Sequence, residues 1–414
     1  MNTGAVNSKA RELALASKFF VLTLLLFLLP QRVLAKTPDD QFKQYLINIC
    51  SSQTIPAGWN LVSLSSMCQA AFPGGFASAG TTTTSSSNVG IAGAALETHR
   101  KKIGAPSGDQ DDKSDKGASA DGGGWGVLVT PQYSKNNRTD TDLENGYQSE
   151  LRGLVVGLDY RFSDSLVLGG TIGHTKDDAT FINNAGSLKT RNNTFTLYGT
   201  WLPSTSVSVD GYVGYGRLSL NNQRHVDFGL INGMIDGSTT GNQVLAGLST
   251  SYQTDVGRFN VSPFFNLDYI KTRFRGYSES GSYNFDTTLG VDIGTDTLTL
   301  LYGDRRMASL TSSLGARVGT SFGYDWGALQ PSASLAAVHE FQNNAQHISN
   351  ELISTPGFSM SVATDAPDRN YLNVGFGVAA ALNGGAQYFL NYEKRAQDRL
   401  LSSWALSIGG LVEF

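Results

Sequence analysis

The sequence is poor in charge, in histidine and in long apolar runs. Charged residues make up 16 % of its 414 positions, and 31 lysines and arginines stand against 35 aspartates and glutamates. This acidic balance provides no basic surface for nucleic acid, which we exclude as a partner. The mean hydropathy of −0.16 and the lack of an apolar run of bilayer-spanning length exclude a helical membrane protein. The five histidines lack the spacing of metal ligands, so we expect no metal, no cofactor and no enzymatic activity.

Cysteine is almost absent as well, with only Cys50 and Cys68 in the chain. In an exported protein these two thiols would be oxidised, and we expect a disulfide between them. In the chain-entropy model, a cross-link across a loop of that length stabilises the folded segment by about 3 kcal/mol.

The N-terminus has the pattern of a secretory signal. Lys18 precedes the apolar stretch Phe19–Leu29, which is too short to span a bilayer comfortably. The small-residue site Val33–Ala35 follows, and we expect a signal peptide over 1–35 with cleavage between Ala35 and Lys36. An uncleaved N-terminal anchor is the alternative.

Two segments of different character follow the signal. Residues 36–87 form a short polar region around the two cysteines and end in low-complexity sequence. Residues 88–123 contain a predicted helix, Val89–Ile103, and a charged, glycine-rich linker. The helix would be roughly 22 Å long, close to the apolar band of an outer-membrane barrel, about 25 Å. A free surface helix is the alternative.

The most regular pattern is the alternation of apolar and polar residues near the C-terminus. From Trp404 to the end, every second position is apolar or small: Trp404, Leu406, Ile408, Gly410, Val412 and Phe414. A period of two predicts a strand with one face toward lipid and one toward water, although a half-buried strand of a soluble sandwich alternates too. We expect the apolar face that ends at Phe414 to be the assembly signal of a membrane barrel.

The same alternation recurs in a long series of segments. Twelve are found, at roughly 124–134, 148–162, 164–178, 190–202, 204–219, 241–255, 257–275, 308–323, 325–342, 370–383, 385–397 and 402–414. Connections after even-numbered segments are tight, whereas those after odd-numbered segments are longer, notably Asn221–Thr240, Gly276–Met307 and Gln342–Arg369. An even strand number with short turns on one side is typical of outer-membrane barrels. The sequence therefore predicts an all-β fold, a 12-stranded antiparallel up-and-down transmembrane β-barrel over 124–414.

The alternation also predicts where charged side chains point. On the lipid face an arginine in mid-membrane would cost about 2–4 kcal/mol, so we place charges in the lumen. The candidates for lumen charge networks are Arg191, Arg217, Arg317 and Arg395 with Asp159, Asp210, Asp268 and Glu393.

Several short motifs add a resemblance to this pattern. In order along residues 124–414 they include Gly157–Tyr160, Leu166–Gly169, Leu197–Gly199, Val209–Tyr212, Leu267–Ile270, Leu314–Arg317, His339–Phe341, Tyr392-Glu393 and Phe414. In these motifs the chain resembles the translocator (β) domain of autotransporters, the type V secretion proteins.

The resemblance implies a barrel in the outer membrane of a Gram-negative bacterium. It further implies an α-helix in the pore, here Val89–Ile103, and an N-terminal passenger delivered to the cell surface. Insertion would use the barrel-assembly machinery and periplasmic chaperones, with outer-membrane lipid around an expected monomer. The passenger is much shorter than is usual in the family.

Two alternatives keep the N-terminal segment in the periplasm. One is a pore or structural barrel, and the 104–123 linker is long enough to leave the helix outside the lumen. The other is an adhesin whose long loops bind a host or sister-cell surface.

Overall fold

A computed structural model describes residues 124–413, except 142, 164, 229–230, 286–298, 354–358 and 384. The predicted cleavage site at Ala35 and Lys36, the Cys50–Cys68 disulfide, the 89–103 helix and Phe414 lie outside these residues. None of the helical segments within the described part is long and apolar enough to cross a membrane.

The described chain consists of β-strands and one short 3-10 turn at Ile182–Asn184. In chain order the strands are β1 (Trp125–Arg138), β2 (Tyr147–Ser163), β3 (Leu166–Phe181), β4 (Gly186–Ser204), β5 (Val207–Phe228), β6 (Ile231–Tyr252), β7 (Thr254–Val256), β8 (Phe259–Phe274), β9 (Tyr277–Phe285), β10 (Leu300–Tyr302), β11 (Arg305–Gly319), β12 (Phe322–Tyr324), β13 (Gly327–Glu340), β14 (His347–Leu352), β15 (Ser359–Ala363), β16 (Asn370–Leu382), β17 (Ala386–Ala396) and β18 (Leu401–Glu413).

Twelve of these strands form a closed antiparallel barrel. The order around it is β1, β2, β3, β4, β5, β6, β8, β11, β13, β16, β17 and β18. β18 pairs back onto β1, from Gly126 opposite Glu413 to Arg138 opposite Leu401, and so closes the sheet. Every backbone donor and acceptor of a closed sheet has a neighbour, which is the condition for β-structure in lipid. The predicted 12-stranded barrel is confirmed.

A belt of apolar side chains surrounds the outside of the barrel. On β2 the outward row runs from Phe162 to Leu154, both about half exposed, and then changes to Arg152. Eight residues of strand cover about 26 Å, which a tilt of roughly 40° reduces to about 20 Å. The outward rows of other strands change at matching positions: Tyr133 to Lys135, Ile172 to His174, Phe195 to Asn193, Tyr215 to Arg217, Val244 to Asn242 and Tyr269 to Lys271. This belt is the lipid-facing surface.

Aromatic side chains mark the end of the belt that carries the tight turns. Trp125 and Tyr160 meet edge to face at 5.0 Å, and Phe162 stands against Tyr160 at 4.9 Å between ring centroids. Girdles of this kind flank the apolar band of outer-membrane barrels, and the short turns lie on the periplasmic side. The opposite end of the barrel is therefore extracellular.

The extracellular connections differ from the predicted loops. Asn221–Thr240 belongs almost entirely to β5 and β6, which pair from Val207 opposite Tyr252 up to Phe228 opposite Ile231. The other two long connections contribute β9, β10, β14 and β15. Together they form an antiparallel extracellular sheet in the order β5, β6, β9, β10, β14, β15.

A buried ion pair anchors the extracellular sheet. Nε and Nη2 of Arg224 donate to the two carboxylate oxygens of Glu279 at 3.1 and 2.6 Å, with 5 % and 0 % of the two side chains exposed. The Leu300 amide donates to Glu279 at 3.1 Å and the Tyr302 hydroxyl at 3.2 Å. Burial, and then the charge of Glu279, raise the pKa of Tyr302 well above its usual value, so its hydroxyl stays protonated. One carboxylate thus joins β5, β9 and β10.

A second polar cluster ties the far end of this sheet to the β1–β2 connection. Arg138 forms ion pairs with Glu144 and with Asp365, the latter at 2.7 Å. The Thr141 hydroxyl also donates to Asp365, at 2.6 Å, and the Asp365 amide donates to Glu144 at 3.1 Å. The extracellular structure is consequently held at both ends.

Ile408→Arg tests the lipid-facing assignment. Ile408 is 52 % exposed on the outward face of β18, midway along the belt. A buried charge there is expected to lower the free energy of unfolding by about 2–4 kcal/mol. Ser407→Arg, one residue away on the lumen side, serves as the control and should cost far less. Urea titration of the barrel refolded into lipid vesicles measures both, and equal losses would contradict the assignment.

Glu279→Gln tests the anchoring ion pair. The variant keeps the side-chain shape but removes the negative charge that faces the buried Arg224 guanidinium, at a cost of about 3–5 kcal/mol. We expect the extracellular sheet to open while the barrel persists, which limited proteolysis of the inserted protein would detect as cleavage between β9 and β11. The control is Arg273→Gln, because the Arg273–Asp304 pair has 55 % and 47 % of its side chains exposed and contributes less than about 1 kcal/mol. Wild-type protease resistance in the Glu279→Gln protein would refute the anchoring role.

Candidate functional site

The candidate site is the barrel lumen, which is formed by the inward-facing rows of the strands. On β4 the inward row is mostly threonine and asparagine, and the outward row contains Phe195, Leu197 and Trp201. β2, β8 and β17 have the same polarity, as their sequence pattern predicts. The barrel therefore presents apolar groups to lipid and mainly polar groups to its interior.

Apolar side chains nevertheless fill several parts of the lumen. Tyr198, Tyr212, Leu245 and Ile270 form a buried cluster contributed by β4, β5, β6 and β8. A second cluster lies nearer the extracellular end and comprises Tyr147, Ala179, Phe181, Leu188, Leu218, Leu220 and Phe274. A third cluster is contributed by β1, β16, β17 and β18 and comprises Leu128, Ala379, Phe389 and Leu411. These inward-facing apolar residues were not anticipated from the alternation.

Lumen carboxylates accept hydrogen bonds from the two tyrosines of the first cluster. The Tyr198 hydroxyl donates to Asp159 at 2.9 Å, and the Tyr212 hydroxyl donates to Asp268 at 2.7 Å. Asp210 accepts a bond of 2.8 Å from Thr200. Asp210 thus joins neighbouring strands, whereas Asp159 and Asp268 each bond to the next strand but one, and the predicted lumen position of all three is confirmed.

The open part of the lumen lies mainly beside the strands from β8 round to β1. A cavity of about 470 Å³ is bordered mostly by β8, β11, β13, β16, β17, β18 and β1, and among the described residues none of β3 or β4 borders it.

Carboxylates outnumber cations around the cavity, although Glu144, Asp365, Asp368 and Asp398 are in ion pairs with Arg138, Arg399 or Arg395. Eight carboxylates border it, Glu144, Asp210, Asp268, Glu340, Asp365, Asp368, Glu393 and Asp398, against three guanidinium groups, Arg138, Arg317 and Arg395. Arg317 lies 5.8 Å from the Phe264 ring centre, and Arg395 lies 3.8 Å from that of Tyr371. A low-dielectric wall lined by one sign of charge concentrates counter-charges inside it.

Two of the predicted lumen arginines are not in the lumen. Arg191 and Arg217 are exposed on the outward faces of β4 and β5, next to buried inward residues such as Asn192 and Leu218. Both lie above the apolar belt, where an outward charge meets water and lipid headgroups instead of hydrocarbon. The prediction for these two residues is wrong for that reason.

The described residues offer little for covalent chemistry. No group of three or more His, Cys, Asp or Glu among them is arranged to hold a metal ion. His339 faces outward and forms a 2.7 Å hydrogen bond with Asn370. Gly319–Gly323 matches the G-x-S-x-G spacing of a hydrolase nucleophile elbow, but Ser321 lies on an exposed connection and the chain continues into strand β12 instead of a helix.

Comparison with known proteins agrees with this architecture. The model of the family "Autotransporter beta-domain" matches residues 127–393. The translocator domain of the autotransporter NalP from Neisseria meningitidis superposes with a TM-score of 0.53 at 14 % identity, covering 79 % of this chain and 98 % of that one. The β-domain of the Bordetella autotransporter BrkA gives 0.50 at 18 % identity, covering 71 % of this chain and all of that one. These structures share the fold.

The curated relatives are much longer than this chain. Lipase 1 of Photorhabdus luminescens is 22 % identical over 264 residues, which are 62 % of this chain and 37 % of the lipase. Outer membrane protein A of Rickettsia rickettsii is 22 % identical over 284 residues, 65 % of this chain and 12 % of that protein. The closed barrel, its apolar belt and the family match over 127–393 place the chain in the autotransporter β-domain family, as a translocator barrel of the Gram-negative outer membrane.

Proposed function

We propose that the barrel delivers its own N-terminal region, residues 36–87, to the cell surface and keeps it anchored there. The observation that carries this proposal is the open, polar and acidic wall of the lumen from β8 to β18. A polar wall solvates an extended backbone, which an apolar lumen would leave without hydrogen-bond partners. The predicted domain order, with a helix and a linker directly before β1, supports the proposal because it leads the N-terminal region to the lumen.

The acidic wall also suggests how the helix is retained. The sequence Arg100–Lys102 lies at the end of the helix predicted over 89–103. We propose that this basic tract is held in the lumen by the carboxylates that border the cavity. Opposite charges attract more strongly where water is largely excluded than at an exposed surface.

Biogenesis would then follow the route that such barrels need. We propose cleavage between Ala35 and Lys36, oxidation of Cys50 and Cys68 in the periplasm, and insertion by the barrel-assembly machinery with chaperones. The outward row Trp404, Leu406, Ile408 and Val412 of β18, together with Phe414, is the proposed assembly signal. Intact-mass measurement of the outer-membrane protein with and without a thiol reagent checks the first two steps.

A second candidate function is adhesion through the extracellular sheet. The observation in its favour is that β9, β10, β14 and β15 continue the sheet from the extended β6, which gives the described part of these connections a paired, regular surface. In this alternative the sheet binds a host or sister cell and the N-terminal region stays in the periplasm. Deleting residues 277–302 and measuring cell aggregation tests it.

Protease shaving of intact cells tests surface display. We expect an epitope tag beside Thr37 to be removed by external protease, because display places it outside the cell. The matched control is a tag at Gly257, in the exposed periplasmic turn between β7 and β8, which should remain protected. A Thr37 tag protected to the same degree as the Gly257 tag would rule out display and favour the periplasmic alternatives.

Charge reversal of the basic tract tests retention in the lumen. The triple variant Arg100→Glu, Lys101→Glu and Lys102→Glu should be repelled by the acidic wall, so the purified protein should conduct more current in planar bilayers than the wild type. The control reverses Lys113 and Lys116, two linker cations outside the predicted helix, and should leave the conductance unchanged. Identical conductance in all three proteins would contradict retention by charge while leaving display itself standing.

A further inference from the structure

The outside of the barrel has a row of like charges just above the apolar belt. Arg152 on β2 is directly opposite Lys176 on β3, and Lys176 is directly opposite Arg191 on β4. All three side chains alternate with buried inward residues and therefore point away from the lumen. Directly opposed residues on one face have Cβ atoms about 4.5–5.5 Å apart, and like charges in such pairs destabilise a sheet.

The row is not neutralised by the protein itself. Arg152 pairs weakly with Glu150 at 3.4 Å, and Lys176 with Asp178 at 2.6 Å. Arg191 has no ion pair or hydrogen bond from its side chain within the described residues, and neither has Arg217, which neighbours it diagonally on β5. The patch thus retains an excess of positive charge in a chain whose net charge is −4.

The position of the cationic row relative to the apolar belt determines which part of the membrane these side chains contact. The last apolar outward residue on β2 is Leu154, and Arg152 is the next position outward on the same face. On β5 the corresponding step is from Tyr215 to Arg217, whereas on β3 and β4 one polar residue, His174 or Asn193, lies between the belt and Lys176 or Arg191. Cationic and amphipathic side chains at such a boundary lie at the level of the lipid headgroups. A partner that covers the neighbouring belt with hydrocarbon chains therefore places its headgroup on these cations.

We propose that Arg152, Lys176 and Arg191, flanked by Arg217, bind the phosphate groups of outer-leaflet lipid packed against β2 to β5. A guanidinium presents its N–H groups as a planar fork that matches a phosphate, and an ammonium supplies a further point charge. Two negatively charged phosphates on neighbouring positions relieve the repulsion between the three opposed cations. The bound lipid headgroup completes a surface that is electrostatically unfavourable without it.

Binding of lipid A to the full chain tests the proposal. The protein is reconstituted in nanodiscs of phosphatidylcholine with a minor fraction of lipid A, either with both phosphates or enzymatically dephosphorylated. Lipid retained by the purified protein is then counted by native mass spectrometry. We expect the wild type to prefer the phosphorylated form. Replacement by Arg152→Gln, Lys176→Gln and Arg191→Gln together should weaken that binding roughly a hundredfold, at about a factor of five per cation.

A charge-conserving variant separates electrostatics from packing. Arg152→Lys, Lys176→Arg and Arg191→Lys changes every side chain but keeps the three charges, so its preference for phosphorylated lipid should persist. Heat-modified electrophoretic mobility verifies that both variants contain folded barrel. Equal retention of the two lipids by the wild type overturns the proposal. It is equally overturned if the neutral variant keeps the preference or loses both lipids alike, since the second result shows a packing role only.

Discussion

The structure depends on the requirement that no backbone hydrogen-bonding group remains unpaired in hydrocarbon. The pairing of β18 with β1 over eleven residue pairs meets this requirement at the one place where an open sheet would expose its edges. Closure then fixes which residues face lipid, because strand side chains alternate and a slip by one residue would exchange the two faces. The apolar belt, the polar lumen and the aromatic residues at the periplasmic end all follow from that single register.

Within this frame the lumen is divided into two unlike halves. The lumen beside β3 to β6 is filled, because the rings of Tyr198 and Tyr212 point into the interior. Their hydroxyls donate to Asp159 and Asp268. The strands from β8 to β18 border the cavity, where most of the charged residues are acidic. Packing on one side and charge on the other leave an off-centre cavity, and Leu128 and Leu411 of the closing strands pack in a separate apolar cluster. Both halves use carboxylates, but only on the open side do they outnumber the cations around free space.

The sequence predicted the membrane-spanning part of the fold well because lipid and lumen differ strongly in polarity there. Leu154, Val156 and Leu158 on one face of β2, with Gly157 and Asp159 on the other, leave no ambiguity about orientation. Above the membrane the outward face meets water instead of lipid and the buried face contains polar residues such as Asn222 and Arg224, so the contrast disappears and the sequence of the upper half of β5 resembles that of a loop.

The two misplaced arginines have the same origin. Arg191 and Arg217 were assigned to the lumen because an outward charge is costly in hydrocarbon, a rule that ends with the apolar belt. The packing of inward apolar residues such as Leu218 and Phe274 was also not predicted, since an alternating pattern does not distinguish a filled lumen from an empty one. The extracellular sheet depends on pairing between distant segments, including Glu279 with Arg224 across 55 positions, which no local pattern contains.

The length of β5 and β6 has a mechanical consequence. Each strand has 22 residues and continues without interruption from the periplasmic turn into the extracellular sheet. At about 3.3 Å per residue, this gives a two-stranded beam of roughly 70 Å. A pull on the extracellular sheet acts along this beam, parallel to the strands and perpendicular to their hydrogen bonds. The ladders that join β5 to β4 and β6 to β8 are therefore loaded in shear, with many bonds sharing the force, instead of being peeled apart one bond at a time. The cell-surface structure is thus fastened to the membrane wall in the direction in which a β-sheet resists force best.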